Sequence, residues 1–86
     1  MNKVTIYHKD YCPYCKAAKQ LLTQQGFEYN AIDVTNDPVA FAAMVKKSDR
    51  RTVPQIFIGN THIGGFDDLQ SRFSSKKFPF NQLEIA

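Results

Sequence analysis

Tyr11-Cys12-Pro13-Tyr14-Cys15-Lys16 holds both cysteines of the chain, two residues apart, at what reads as the start of a helix. That spacing belongs to redox chemistry or to metal chemistry. Pro13 suits the first helical position, where a missing N–H costs nothing, so Cys12 falls at the mouth of the helix and Cys15 one turn in, with their sulfurs able to meet. Unpaired backbone N–H groups and the positive end of the helix dipole favour a thiolate at the mouth, and Lys9 and Lys16 add positive charge. Cys12 is therefore the candidate nucleophile. Cys15, deeper and further from that field, stays a thiol until a mixed disulfide forms on Cys12, which makes it the candidate resolving thiol.

Two other uses of the pair fit worse. A structural bridge closing so short a loop removes little unfolded-chain entropy, roughly 2 kcal/mol against about 4.7 kcal/mol for a loop of ~100 residues. Zinc takes a tetrahedral set of Cys and His ligands, and the chain offers no second C-x-x-C and no closely spaced His pair, only the separated His8 and His62. No metal is expected.

Outward from the cysteines, residues 3–8 alternate polar with β-branched or aromatic types, with Val4 and Ile6 on one face, and predict a strand feeding the cysteine loop. His8 falls on the other face and is expected to meet solvent or a backbone carbonyl. Over residues 13–25 Tyr14, Ala18, Leu21 and Leu22 recur at helical spacing, and Gly26 stands where a left-handed C-terminal cap is wanted. Residues 27–34 predict a strand whose alternation is blurred, as it would be in a buried parallel strand. Asp37 as N-cap and Pro38 in the first turn open a second helix with Phe41, Met44 and Val45 on one face, ending near Ser48. Residues 52–58 are β-rich with Pro54 at their head, and Gly59-Asn60 is a two-residue hairpin signal, so residues 61–63 should pair antiparallel with 55–58. Phe66-Asp67-Asp68-Leu69 opens a third helix with acidic residues where the dipole favours them, Leu69 and Phe73 marking its buried face. Residues 74–86 are interrupted by Lys76-Lys77 and Pro79, yet Phe78, Phe80, Leu83 and Ile85 predict that this tail packs back. The order β-α-β-α-β-β-α, with a parallel start through a right-handed crossover and an antiparallel finish, is an α/β fold: a four-stranded mixed sheet flanked by helices. The cysteines lie between a strand's C-terminal end and a helix N-terminus, where open α/β sheets place their sites.

Size and composition narrow the function. The 86 residues suit one domain, 1–86, with a single core that needs no staples. Eleven basic against eight acidic residues leave a net charge of +3, scattered except at Lys46-Lys47, Arg50-Arg51 and Lys76-Lys77, with no long basic run or aromatic RNA-binding signature. Nucleic acid is not an expected partner. The N-terminus lacks an apolar export signal and no stretch is apolar enough for a membrane span, which predicts a cytoplasmic protein; in that reducing setting a close cysteine pair is catalytic or sensing more often than structural. Nothing demands more than a monomer.

Cys12-Pro13-Tyr14-Cys15, Thr52-Val53-Pro54 and Gly64-Gly65-Phe66-Asp67-Asp68, in this order within residues 3–74, resemble the three signatures of the dithiol glutaredoxins, within the thioredoxin-like fold. The resemblance implies a glutathione-dependent thiol–disulfide oxidoreductase that reduces protein disulfides and glutathione mixed disulfides, with glutathione as reducing co-substrate and no permanently bound cofactor. It also implies a cis Val53–Pro54 bond that puts the Val53 backbone beside the sulfurs. Glutathione is a short extended peptide with two carboxylates and an ammonium. On this resemblance the Val53 backbone takes its cysteinyl part as an added strand would, the N–H groups of Phe66 and Asp67 take the γ-glutamyl carboxylate, and the Asp67 side chain takes the ammonium. Lys9 is assigned to the glycine carboxylate, with Arg51 second; Thr52 lines the pocket and Tyr14 flanks the sulfur. Asp68 reads as plain helix-terminal charge. The implied partners are glutathione and disulfide-bonded or glutathionylated proteins, with a ribonucleotide reductase one compatible target. Phe66 stands where many relatives carry a further cysteine. Two alternatives remain: a redoxin fed by a flavoprotein reductase, against which Asp67-Asp68 behind two glycines argues, and an iron–sulfur module held by Cys12 and external glutathione, which the stiffening Pro13 disfavours.

Overall fold

A computed structural model describes residues 3–75, in which β1 (Val4–His8), α1 (Pro13–Gln24), β2 (Tyr29–Asp33), α2 (Pro38–Ser48), β3 (Gln55–Ile58), β4 (Thr61–Gly64) and α3 (Phe66–Ser75) follow the expected order. The tail expected to pack back, residues 76–86, lies outside the described residues. The sheet runs β2-β1-β3-β4: β1 pairs parallel with β2 and antiparallel with β3, and β3 pairs antiparallel with β4. Strand alternation then separates two cores. Val4, Ile6, Ile56, Ile58 and Ile63 pack with Ala18 and Leu22 of α1 and Leu69 of α3, while Tyr7 and Phe57 pack with Val34 and with Met44 of α2. Both faces of the sheet are thereby covered, and the central strand β1 delivers the cysteine loop from its C-terminal end.

Local chemistry sets the joints. At the end of α1 the Phe27 N–H donates to the Leu22 carbonyl at 2.9 Å and the Gly26 N–H to the Thr23 carbonyl at 3.0 Å, with Gly26 at φ +84°. This paired closure turns the chain toward β2 through a left-handed position that glycine adopts without strain. At the start of α2 the Asp37 carboxylate accepts the Ala40 N–H at 3.0 Å. In the hairpin Gly59 takes φ +57°, Ile58 faces Thr61, Phe57 faces His62, and a bulge between Ile56 and Phe57 brings Gly64 opposite Ile56.

One expectation needs correction. The blurred strand is not buried: β2 is an edge strand with Asn30, Ala31 and Asp33 exposed. Its pattern blurs because each face meets a different core, Tyr29 reaching the α1 side and Ile32 the α2 side. His8 is half-buried and its ring meets the Lys9 backbone, as expected; its Nδ1 also lies 3.3 Å from the Lys19 ammonium on α1. Among the described residues no helix is long and apolar enough to cross a membrane.

Candidate active site

Past His8 the chain turns so that Cys12 becomes the N-cap of α1, with extended backbone (φ −98°, ψ 110°) and its Sγ accepting the Cys15 N–H at 3.2 Å. A sulfur occupies the place that a Ser, Thr or Asp oxygen usually fills. The Cys12 N–H donates to the Lys9 carbonyl at 3.3 Å, and the Asp10 N–H donates to Thr35 Oγ1 at 3.0 Å, which ties the loop to the turn after β2. The two sulfurs differ in access: both cysteines are free thiols, Cys12 8% exposed and Cys15 1%. Burial pushes the Cys15 thiol up to about 12, its hydrogen bond with Cys12 adding to the shift while contact with the Lys9 backbone and the Lys19 charge oppose it. Cys15 keeps its proton at neutral pH.

The second element is the loop before β3. The Val53–Pro54 peptide bond is cis, and the Val53 carbonyl lies 3.8 Å from Cys12 Sγ. Val53 rests half-buried against the α2-side core, and Pro54 is buried. Next to this loop opens a cleft of about 200 Å³ whose walls include Tyr14, Val53, Pro54, Phe66 and Asp67. Tyr14 is 63% exposed, its ring centroid 6.1 Å from that of Phe66, so the tyrosine overhangs the cleft instead of filling it.

The third element is the start of α3. Asp68, at the third helical position, reaches back to accept the Gly65 N–H at 2.9 Å and also meets Arg50 Nη1 at 3.1 Å. This is the reciprocal arm of a capping box. The Gly65 N–H, then Arg50, hold the Asp68 carboxyl below its ordinary range. Gly64 sits at φ +120°, and a Cβ there would collide with the Asp68 carboxylate, so glycine is required for both backbone and space. Asp67, by contrast, is exposed on the cleft wall. The first-turn N–H groups of Phe66 and Asp67 have no intrahelical acceptor, which makes this corner suited to an anion.

Of the residues singled out from sequence, the cleft gathers Tyr14, Val53, Phe66 and Asp67, with Cys12 beside Val53. Lys9 and Thr52 do not line it. Lys9 Nζ stands 5.4 Å above the Phe41 ring and 5.9 Å from that of Tyr11, and Arg51 lies 5.4 Å from the same Phe41 ring. The two cations thus share one aromatic. Thr52 is exposed next to Val53. Sequence reading missed Arg50 on the cleft wall; only the contact between the segment after α2 and the start of α3 reveals it. A separate cavity of about 190 Å³, lined by Tyr7, Lys47 and Phe57 among others, has no cysteine on its wall. Among the described residues no cluster of three or more His, Cys, Asp or Glu is placed to hold a metal ion.

A family model described as Glutaredoxin matches residues 4–63. A curated relative, the glutaredoxin of Neisseria meningitidis, is 51% identical over 70 residues, spanning 80% of this chain and 82% of the relative. Among solved structures, glutaredoxin from Brucella melitensis superposes with a TM-score of 0.78 at 47% identity, covering 90% of this chain and 84% of its own. The buckwheat glutaredoxin–glutathione complex superposes with a TM-score of 0.80 at 34% identity, covering 88% and 72%.

Proposed function

Because the chain belongs to the glutaredoxin family, and is therefore a glutathione-dependent thiol–disulfide oxidoreductase, we propose that Cys12 is its nucleophile and Cys15 its resolving thiol. The observation that carries this reading is the unequal setting of the sulfurs: Cys12 caps α1 and accepts a backbone N–H, while Cys15 is sealed behind it with its thiol pushed up to about 12. On a glutathionylated protein, the Cys12 thiolate attacks the glutathionyl sulfur, a Cys12–glutathione disulfide forms, and the protein thiolate leaves and takes up a proton. A second glutathione thiolate then attacks that same sulfur, releasing glutathione disulfide and restoring Cys12. On a protein disulfide, the Cys12 thiolate bonds one protein sulfur while the other leaves as a thiolate and takes the Cys15 proton; the Cys15 thiolate then attacks Cys12 Sγ, closing a Cys12–Cys15 disulfide and releasing the second protein thiolate. Once Cys12 is bonded, its charge no longer opposes ionisation of Cys15, so the resolving step is enabled by the step before it. Two glutathiones return the two electrons.

The same geometry supports a glutathione pose. The γ-glutamyl carboxylate meets the N–H groups of Phe66 and Asp67, the ammonium meets the Asp67 carboxylate, and the cysteinyl backbone pairs with Val53. Tyr14 overhangs the sulfur, Thr52 flanks the peptide, and Lys9 with Arg51, sharing Phe41, supplies positive charge for the glycine carboxylate. In this reading residues 1–86 act as one monomeric domain in the cytoplasm, with glutathionylated or disulfide-bonded proteins, a ribonucleotide reductase among them, as targets. The test is glutathione-dependent reduction of a small glutathione mixed disulfide coupled to glutathione reductase. Cys12→Ser abolishes turnover and Cys15→Ser retains it; a wild type that does not turn over with glutathione overturns the proposal in favour of a reductase-fed redoxin.

A further inference from the structure

We propose that Gln55 and His62 are positioning residues that lock the Thr52–Val53 peptide and turn the Thr52 hydroxyl into a committed hydrogen-bond donor toward the bound glutathionyl group; this rests on the reading that Thr52 and Val53 meet glutathione. Gln55 is the first residue of β3, directly after the cis proline, and is 1% exposed. A polar side chain so deep must have every group matched. Among the described residues no buried side-chain nitrogen or oxygen lacks a partner, and the partners of Gln55 define its role.

The direction of each hydrogen bond follows from what its atoms can do. The Thr52 carbonyl only accepts, so the Gln55 atom 2.9 Å from it is the amide nitrogen, whose second contact is Thr52 Oγ1 at 3.3 Å. The amide oxygen therefore faces the other way, 2.7 Å from His62 Nε2. That oxygen only accepts, so His62 carries its proton on Nε2. The imidazole is braced by the Phe57 ring at 4.9 Å on the neighbouring strand, beside the bulge. Burial and the nearby Arg50 charge lower His62, which favours its neutral form; protonation at Nδ1 would leave the Nε2 donor in place. Donation thus runs one way, from His62 to Gln55 to Thr52.

Two consequences reach the substrate. The carbonyl of residue 52 and the N–H of residue 53 share a trans peptide plane and point in opposite directions, so drawing the Thr52 carbonyl inward onto Gln55 aims the Val53 N–H away from Gln55, toward a ligand strand. The lone pair of Thr52 Oγ1 is engaged from behind, and among the described residues no acceptor takes its O–H. Thr52 is exposed, and its hydroxyl is left to donate to a carbonyl or carboxylate of the glutathionyl group.

The experiment measures KM and kcat for a glutathionylated peptide, together with the rate at which iodoacetamide alkylates Cys12, a reaction that needs no glutathione contact. Gln55→Glu keeps the size but cannot donate to Thr52, and Thr52→Val removes the hydroxyl. Each is expected to raise KM roughly tenfold, the effect of one to two lost hydrogen bonds, with the alkylation rate within about twofold of wild type. The double variant is expected to be no worse than the worse single one. His62→Leu, at a half-buried site that folding tolerates, raises KM severalfold, and His62→Gln, which restores a donor, returns it. Unchanged KM in these variants, additive effects in the double variant, or a parallel fall in alkylation overturns the inference while wild-type turnover keeps the catalytic reading intact; loss of wild-type turnover itself overturns both.

Discussion

At about pH 8 the two thiols meet an alkylating reagent on unequal terms. Burial and the contact with Cys12 push Cys15 up to about 12, so only a trace is ionised, and at 1% exposure little reagent reaches it. Mass spectrometry of the reduced native protein is expected to find one iodoacetamide adduct, on Cys12, and a second only after denaturation; prompt double labelling would contradict the resolving role. A second residue-scale device lies at the end of β1. His8 accepts from the Lys19 ammonium, so its Nδ1 is unprotonated, and burial first, then Lys19, lowers its ionisation below the ordinary value; His62 is lowered by burial and Arg50. With folded values below the unfolded one, the unfolded chain binds more protons in the interval between them. The stability these neutral rings contribute is fully present above about pH 6.5 and is lost as pH falls through the lowered folded values. Thermal unfolding followed from pH 7.5 down to pH 5 is expected to show falling Tm, with a shallower fall in His8→Gln; an identical slope in that variant would remove His8 as a cause.

Among the elements, joints carry more information than interiors. Asp37→Ala removes the acceptor for the Ala40 N–H and is expected to cost about 1 kcal/mol by denaturant titration, without changing turnover. Gly64→Ala acts on stability and site together: its positive φ strains any Cβ, and the collision displaces Asp68 from the Gly65 N–H. About 1–3 kcal/mol of destabilisation is expected, together with a raised KM for the glutathionylated peptide, because the first turn of α3 forms one wall of the cleft. These joints were legible in sequence where the signal is local: Asp37-Pro38, Gly26 and Gly59-Asn60 each mark a backbone conformation that few other residues accept. The character of β2 was not legible, since an edge strand touching two cores and a buried parallel strand blur alternation alike. The tie of Arg50 to Asp68 was not legible either, because it joins residues 18 apart through a packing that no periodicity encodes.

Across the whole molecule, stability concentrates in β1 and β3, which lie between helices on both faces, and thins toward β2. Ile6→Ala, at a fully buried position in β1, is expected to cost about 2–5 kcal/mol, while Asn30→Ala on exposed β2 stays within about 0.5 kcal/mol. Amide exchange should follow the same order, slowest in β1 and β3 and fastest in β2; uniform protection would deny that gradient. The elements of the candidate site stand at the rim of this rigid centre: the cysteine loop leaves β1, and the cis-proline loop enters β3. From the residues alone the three motifs could only be ordered along the chain, because their convergence on one cleft depends on strand order, which chain order does not dictate; it was the family resemblance that implied the convergence. Finally, α1 is capped by the Cys12 sulfur, so the stability of a helix depends on an oxidation state. In the reduced protein that sulfur accepts the Cys15 N–H at 3.2 Å, and a disulfide sulfur is a weaker acceptor. Folding and reduction form a closed thermodynamic cycle, and each ~1.4 kcal/mol by which the cap favours the reduced fold raises the two-electron potential by about 30 mV. Part of this protein's voltage is the capping energy of one helix.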